Sequence, residues 1–369
     1  MKKLFCLILT LGLLLTGCAG KPAEGGDASP VEGKKIAYII NMPHSDIFDL
    51  CADQCQETAG KLGMTCDVFF ADGDDEKFKD TVTSCAAEGY DGLYLSHGGQ
   101  DYSYDLITGL LSEYPQLKIA AFDTQFKNAA GEVQSIPGVT QFFQDDAGLA
   151  TSLLEYITTD LCPDQKPVKI LKVWVGPGFI AAFDRREAGY QQLESAGKIE
   201  TVKTIGPADF TDATVSMAQV MKDTLKDYQE GDFDAVWVAY DDYAQGCYSA
   251  LKEAGLTVPM VSVDLSNQDI QFMLEENSNW KACACTDFKA NGEQGVRILA
   301  LEMSGEYDAI KAPGSDEPAD LIEMPASLIT SDILKADSTI ENIYDVAPDS
   351  YGNKDNFVTS DWLKSCIGY

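Results

Sequence analysis

The pattern that most constrains this chain is an alternation that runs through twice. Short apolar stretches with β-branched residues are separated by helix-length stretches whose apolar residues recur at helical spacing. In the first run the strand-like stretches are 36–42, 66–71, 92–96 and 118–122, and the helix-like ones are 47–62, 74–87 and 102–113. In the second run the strands are 169–175, 200–205, 235–239 and 260–263, with helices at 181–196, 211–228 and 243–254, the last closed by Gly255. Strands that alternate with helices pair in parallel, and an unbroken apolar strand such as Ile119-Ala120-Ala121-Phe122 needs cover on both faces. The expected fold is therefore α/β, with two similar doubly wound parallel-sheet lobes. From about residue 331 the chain reads as mostly irregular, with one short helix near Trp362.

In sheets of this kind ligands bind beyond the carboxyl ends of the strands. The polar residues at those ends in the first half are Ser45-Asp46, Ser96-His97-Gly98-Gly99 and Asp123-Thr124. In the second half they are Gly176-Pro177-Gly178, Ala208-Asp209-Phe210, Tyr240-Asp241-Asp242 and Asp264. Carboxylates recur here more often than loop composition asks for. The plain alternative is that each Asp caps the helix that follows, and for Asp264, just before Ser266-Asn267, the two readings stand level.

Composition excludes some functions. A formal charge of -32 repels nucleic acid and anionic lipid headgroups, so neither is an expected partner. Only two histidines are present, and the chain shows no G-x-S-x-G elbow, no phosphate-binding Walker loop and no zinc triad. Asp72-Gly73-Asp74-Asp75 lacks the spacing and final Glu of a calcium loop. Paired carboxylates serve glycosidases, but a two-lobed binding role explains them more simply. The expectation is no enzyme, no cofactor and no metal. Nine cysteines lie beyond residue 50, most of them inside apolar periodic segments, which suits small buried thiols better than a disulfide framework or a metal site.

The N-terminus adds an address. Met1-Lys2-Lys3, the apolar run 4–15 and Leu15-Thr16-Gly17-Cys18 together resemble a bacterial lipoprotein signal with its lipobox. The run is too short to anchor as a bilayer span. The resemblance implies removal of residues 1–17, acylation of Cys18 and attachment to the outer face of the cell membrane by lipid. Residues 18–33, small, polar and rich in Gly and Pro, read as a flexible tether.

The ordered series Phe48, Ala59-Gly60-Lys61-Leu62-Gly63, Ala121-Phe122-Asp123, Gln144-Asp145-Asp146, Arg186-Glu187-Ala188-Gly189-Tyr190, Ala208-Asp209-Phe210, Ala239-Tyr240-Asp241-Asp242 and Val263-Asp264 resembles the type I periplasmic binding proteins, in particular the sugar-binding branch serving ABC importers. The resemblance spans about 34–330. It implies a first lobe of 34–144 plus 287–325, a second of 145–286 plus 326–345, a tail at 346–369, and chain crossings near Asp145, Thr286-Asp287 and Pro325-Ala326. The lobes would close on a ligand by a hinge. Phe48 and Phe210 would cover apolar sugar faces, and Arg186 would donate its fork to ring and hydroxyl oxygens. Asp123, Asp241 and Asp264 would accept from hydroxyls, and Asp145 or Asp146, the latter preferred, would reach the ligand at the hinge.

The chain also departs from that pattern. Ser45 and Ile47 stand where an amide and a second aromatic ring are common, Asp146 and Asp241 stand where amides are common, and Thr286-Asp287 replaces a usual Gln. Several carboxylates gathered around one arginine would repel and raise each other's pKa values, a situation that a cationic ligand relieves. The implied function is capture of a small polar ligand, a sugar, for delivery to an ABC permease. An amino sugar, a nucleoside or another cationic metabolite, and a sensory rather than transport role, remain open alternatives. Trp174 and Trp237 read as core.

Overall fold

The computed structural model describes residues 29–229, 231–311, 321–325, 327–343, 346–347 and 354–367. The stretch that resembles an export signal, and Cys18, lie outside these residues. The part of the tether that is described does not read as tether: residues 29–33 form a turn, and Val31 is fully buried in the first lobe's core. One valine among polar neighbours is too weak a periodic signal to flag.

The first sheet contains β1 (Lys35–Ile40), β2 (Thr65–Phe70), β3 (Gly92–Ser96), β4 (Lys118–Phe122), β5 (Val139–Gln144) and β11 (Leu321–Met324), in the order β11-β5-β4-β3-β1-β2. Every pairing in it is parallel. Strand β1 shows why both faces must be covered. Ile36, Tyr38 and Ile40 pack with α1 (Asp46–Lys61) and α9 (Phe288–Ser304), whereas Ala37 and Ile39 join the cluster under α2 (Asp75–Ala87) and α3 (Ser103–Glu113). The two-residue period of a strand thus feeds two separate cores.

The second sheet repeats the plan with β6 (Val168–Val173), β7 (Ile199–Ile205), β8 (Ala235–Val238), β9 (Met260–Val263), β10 (Trp280–Cys285) and β12 (Ser327–Thr330), ordered β12-β10-β9-β8-β6-β7. It is flanked by α4 (Asp146–Tyr156), α5 (Ala181–Ser195), α6 (Ala213–Thr224), α7 (Asp241–Glu253) and α8 (Asn267–Leu274). Helix α4 runs on into a π-helical turn at Ile157–Leu161. Strand β12 pairs antiparallel with β10. The reason is geometric: β11 points out of the first sheet alongside β5, and only residues 325 and 326 separate it from β12. A chain that leaves one sheet at its cleft end and at once joins the other must run against its new neighbours.

The chain passes between the lobes after β5, after β10 and after β11. At these passages Thr286 Oγ1 donates to Gln144 Oε1 (3.4 Å), Asn291 Nδ2 donates to Thr286 Oγ1 (3.1 Å), and the Asp145 N–H bonds the Met324 carbonyl (2.9 Å). Residues read from the sequence as a tail are not all peripheral. Helix α10 (Asp361–Ile367) buries Leu363 and Ile367 in the first lobe's core, and Val358 is buried beside them. This is the short helix expected near Trp362, and its seven residues are too few to show which core they join. All nine cysteines from Cys51 onward are free thiols, seven of them buried. No helix among the described residues is long and apolar enough to cross a membrane.

Candidate functional site

In each sheet the strand order reverses at one point, between β1 and β3 and between β6 and β8, and there the loops diverge and leave a crevice. The two crevices face one another around a cavity of about 460 Å³. Its lining comes from the strand ends: Asn41 and Met42 after β1, His97 to Asp101 after β3, Asp123 after β4, Gln144 at the end of β5, Tyr240 after β8 and Asp264 after β9. The 179–183 segment and Arg186 of α5, Tyr243 of α7, Ile47 and Phe48 of α1, and Phe288 of α9 complete the wall.

Three of those strand-end residues are held in left-handed backbone conformation: His97 (φ 59°), Asp123 (φ 43°) and Asp264 (φ 68°). Each still donates its N–H to the neighbouring strand, to Phe122, Phe142 and Ala284 carbonyls at 3.1, 3.0 and 2.8 Å. The ladder therefore fixes the nitrogen while positive φ turns the residue out of the strand path. Non-glycine residues adopt this region at a cost, Asp and His more readily than most, and such strain gathers at binding sites.

Two adjacent arginines organise the charge. Arg186 Nε donates to Asp146 Oδ1 (2.9 Å), Nη1 to the Ala239 carbonyl (2.6 Å) and Nη2 to Asp264 Oδ2 (3.3 Å). Three of its five N–H bonds are used, which leaves one on each terminal nitrogen. Arg185 Nε donates to Asp146 Oδ2 (2.9 Å), Nη2 reaches Asp123 Oδ1, and the guanidinium lies 4.5 Å from the Phe143 ring centre. The arrangement depends on a close helix contact. A Cβ on Gly189 of α5 would lie 2.3 Å from the Ala147 carbonyl of α4, so only glycine lets the two helices approach and set both arginines on Asp146.

Burial pushes the Asp146 pKa up to about 7 against the pull of Arg186 and Arg185, with the Asp123 charge adding to the rise. Burial also raises Asp264, more than Arg186 lowers it. Asp123 goes the other way: burial raises it, but the guanidinium groups of Arg185 and Arg186 hold it below the ordinary carboxylate range. His97 Nε2 stands 3.5 Å from Asp123 Oδ2, its Nδ1 is 2.7 Å from Ser96 Oγ, and burial keeps its pKa low, so the ring is neutral. Asp264 Oδ1 is buried and has no partner among the described residues.

The residues singled out from the sequence divide accordingly. Phe48, Asp123, Arg186 and Asp264 line one cavity. Asp146 lies behind it, tying the arginines together. Asp145 and Asp287 cap helices instead: their carboxylates accept from the N–H groups of Gly148 and Ala290 at the starts of α4 and α9. Asp264, for which capping was equally open, caps nothing, because Ser266 and Asp269 form the capping box of α8. Helix α7 begins at Asp241, two residues before the predicted start. That turns the Asp241 carboxylate away from the cavity and onto Asp269, where burial and the neighbouring acid raise its pKa well above the ordinary carboxylate range. Ser45 is exposed at the start of α1, and Asp46 accepts from Asn267 Nδ2 of the other lobe (3.2 Å). Phe210 is half exposed, is not part of the cavity lining, and packs on Phe179, which is (ring centres 4.8 Å apart).

Sequence reasoning passed over Arg185, Phe183, Tyr243, Phe179 and Phe288. Arg185 stood beside a named arginine, and two consecutive arginines opening a helix that follows a strand end was the available signal. Trp237 is fully buried in β8, whereas Trp174 sits just past β6 and is only partly buried.

Residues 36–306 match the family described as periplasmic binding protein domain. The chain belongs to that family. No curated protein sequence matches it significantly. Among solved structures this binding protein is similar to a sugar ABC transporter protein from Yersinia enterocolitica (28% identity, 95% of this chain and 99% of that one, TM-score 0.75). A 5-methylthioribose transporter solute binding protein from Thermotoga lettingae, in complex with 5-methylthioribose, shares its fold (23% identity, 92% and 97%, TM-score 0.73). So does a periplasmic ribose ABC transporter protein from Conexibacter woesei (15% identity, 87% and 97%, TM-score 0.68).

Proposed function

We propose that this protein is an extracytoplasmic, lipid-anchored solute receptor that holds a small neutral polyhydroxy ligand, a sugar, in its interlobe cleft and delivers it to an ABC importer. One observation carries the reading. Asp264 Oδ1, an unpartnered buried acceptor, and the spare N–H groups of Arg186 face one cavity whose other walls include the rings of Phe48 and Phe183. A sugar hydroxyl donates and accepts at once, and so answers both groups, while the C–H face of a sugar ring suits an aromatic wall. Buried polar groups left unpaired cost about 1–3 kcal/mol each, which makes an empty site less stable than a filled one.

Arg185 weakens the case for a cationic ligand. Around the cavity three carboxylates meet two guanidinium groups, and burial raises the pKa values of both Asp146 and Asp264. The balance near neutral pH leaves little charge for a ligand amine to satisfy. Delivery to an importer rests on the family and on the description of the Yersinia relative. Lipid attachment rests on the resemblance at Cys18.

A thermal-shift screen of neutral pentoses, hexoses and polyols, with amino sugars and polyamines alongside, tests the ligand class, since binding to the folded state alone raises the melting temperature. A shift with neutral sugars is expected. Shifts confined to cations would replace the sugar reading with the cationic one. Labelling with a radioactive fatty acid tests the anchor: label on the wild type and none on Cys18→Ala is expected.

A further inference from the structure

Resting on the sugar reading, we infer that the ligand is a sugar derivative with an uncharged apolar substituent, the sugar held at the Asp264–Arg186 end and the substituent against aromatic rings at the mouth. The mouth of the second lobe carries three large apolar side chains that a monomer would be expected to cover: Phe179 is 46% exposed, Ile180 44% and Phe210 51%. Phe179 and Ile180 also line the cavity, so the same side chains face solvent and ligand space. Phe210, Phe179 and Phe183 form a run of near-parallel rings, with centres 4.8 and 5.9 Å apart and interplanar angles of 22° and 26°, that leads from the surface toward Tyr240 and Tyr243. On the first-lobe side Met42, Ile47 and Phe288 also line the cavity.

The polar groups are concentrated elsewhere. Asp123, Asp264 and Gln144 come from strand ends and Arg186 from α5, and among them Asp264 Oδ1 and the spare N–H groups of Arg186 are open to hydroxyls. Apolar side chains exposed at a pocket rim mark a binding surface, and continuity with the wall through Phe183 makes the ligand itself the occupant. A bare sugar would leave those rings wet. An alkyl or aryl group would cover them and release their water.

The experiment compares matched probes by calorimetry: ribose, arabinose, glucose and galactose against their methyl and phenyl glycosides, on the wild type and on Phe179→Ala/Phe210→Ala. In at least one series the phenyl derivative is expected to bind the wild type about tenfold or more tighter than the bare sugar. The double variant is expected to bring that preference to within about twofold, with an unchanged circular dichroism spectrum and melting curve in the absence of ligand. A bare sugar that binds as tightly as its derivatives overturns the inference and leaves the sugar reading standing. So does a preference that the double variant keeps in full, which would assign the rings to another surface. Silence from every sugar, bare or substituted, removes the sugar reading and this inference with it.

Discussion

Arg185 on α5 of the second lobe holds the carboxylate of Asp123 at the end of β4 in the first, with only 6% of the Asp123 side chain exposed. The same guanidinium reaches Asp146 at 2.7 Å, so one cation joins the two lobes across the ligand cleft. Breaking a buried pair strands the remaining charge and costs about 3–5 kcal/mol when both partners are buried. Arg185 keeps 22% exposure, so solvent screens part of that. Arg185→Ala should lower stability by about 1–3 kcal/mol and raise the ligand-free radius of gyration in small-angle scattering. An unchanged scattering curve would mean that the pair does not restrain the lobes.

Arg186 is a structural centre as well as a proposed ligand contact, because three of its bonds go to the protein. Arg186→Ala should therefore abolish the ligand-induced thermal shift and also destabilise the ligand-free protein, by about 3 kcal/mol or more. Arg186→Lys should rescue neither, since one ammonium cannot serve three acceptors in fixed directions. Full binding in the lysine variant, measured by calorimetry, would show that charge alone suffices.

Asp264→Asn separates recognition from folding. The change removes a carboxylate that burial disfavours, so chemical denaturation should show stability altered by less than about 1 kcal/mol. Ligand affinity should fall about 10- to 100-fold, the worth of a hydrogen bond to a charged group. Wild-type affinity in this variant would remove Asp264 from the site.

Gly189→Ala tests the helix contact beneath both arginines. The new methyl meets backbone rather than a flexible side chain, so α4 and α5 must separate. A loss of about 1–3 kcal/mol is expected, together with weaker ligand binding, because Asp146 precedes Ala147 and the arginines lie one turn before Gly189. Weaker stability with intact affinity would show that the arginines do not depend on this spacing.

Glu302 gives a pH dependence away from the cleft. It is buried in α9, accepts from Thr140 Oγ1 at 2.9 Å, and burial pushes its pKa up to about 8 from an ordinary value of 4.5. The folded state keeps a proton that the unfolded state releases. The contribution to stability is thus full below about pH 4.5 and is lost as the pH rises to about 8, at no more than about 1.4 kcal/mol per pH unit. Denaturation of Glu302→Gln from pH 5 to 9 should show this loss removed, with the variant gaining on the wild type as pH rises. Parallel curves for the two proteins would place the proton elsewhere.

The alternation of strand and helix made the two lobes legible because burial on both faces writes itself as continuous apolar strands. Strand β11 was not legible, for its four residues; helix α10 was legible as a short helix near Trp362, but not its docking into the first lobe's core. At the site, strand-end position was enough to point to Asp123 and Asp264. Strand-end position also pointed to Asp241, whose helix starts two residues early and turns the carboxylate into the core, while Asp145 and Asp287, named from the family resemblance, cap α4 and α9. Arg185 was hidden because its partners Asp123 and Asp146 lie 62 and 39 residues away, a relation that no local pattern carries.

Native mass spectrometry of the protein with a library of neutral sugars and sugar derivatives tests the central claim most directly. The account predicts one adduct per chain for the wild type, lost in Asp264→Asn under the same conditions. No adduct with any member, or an adduct of equal strength in the variant, would contradict it.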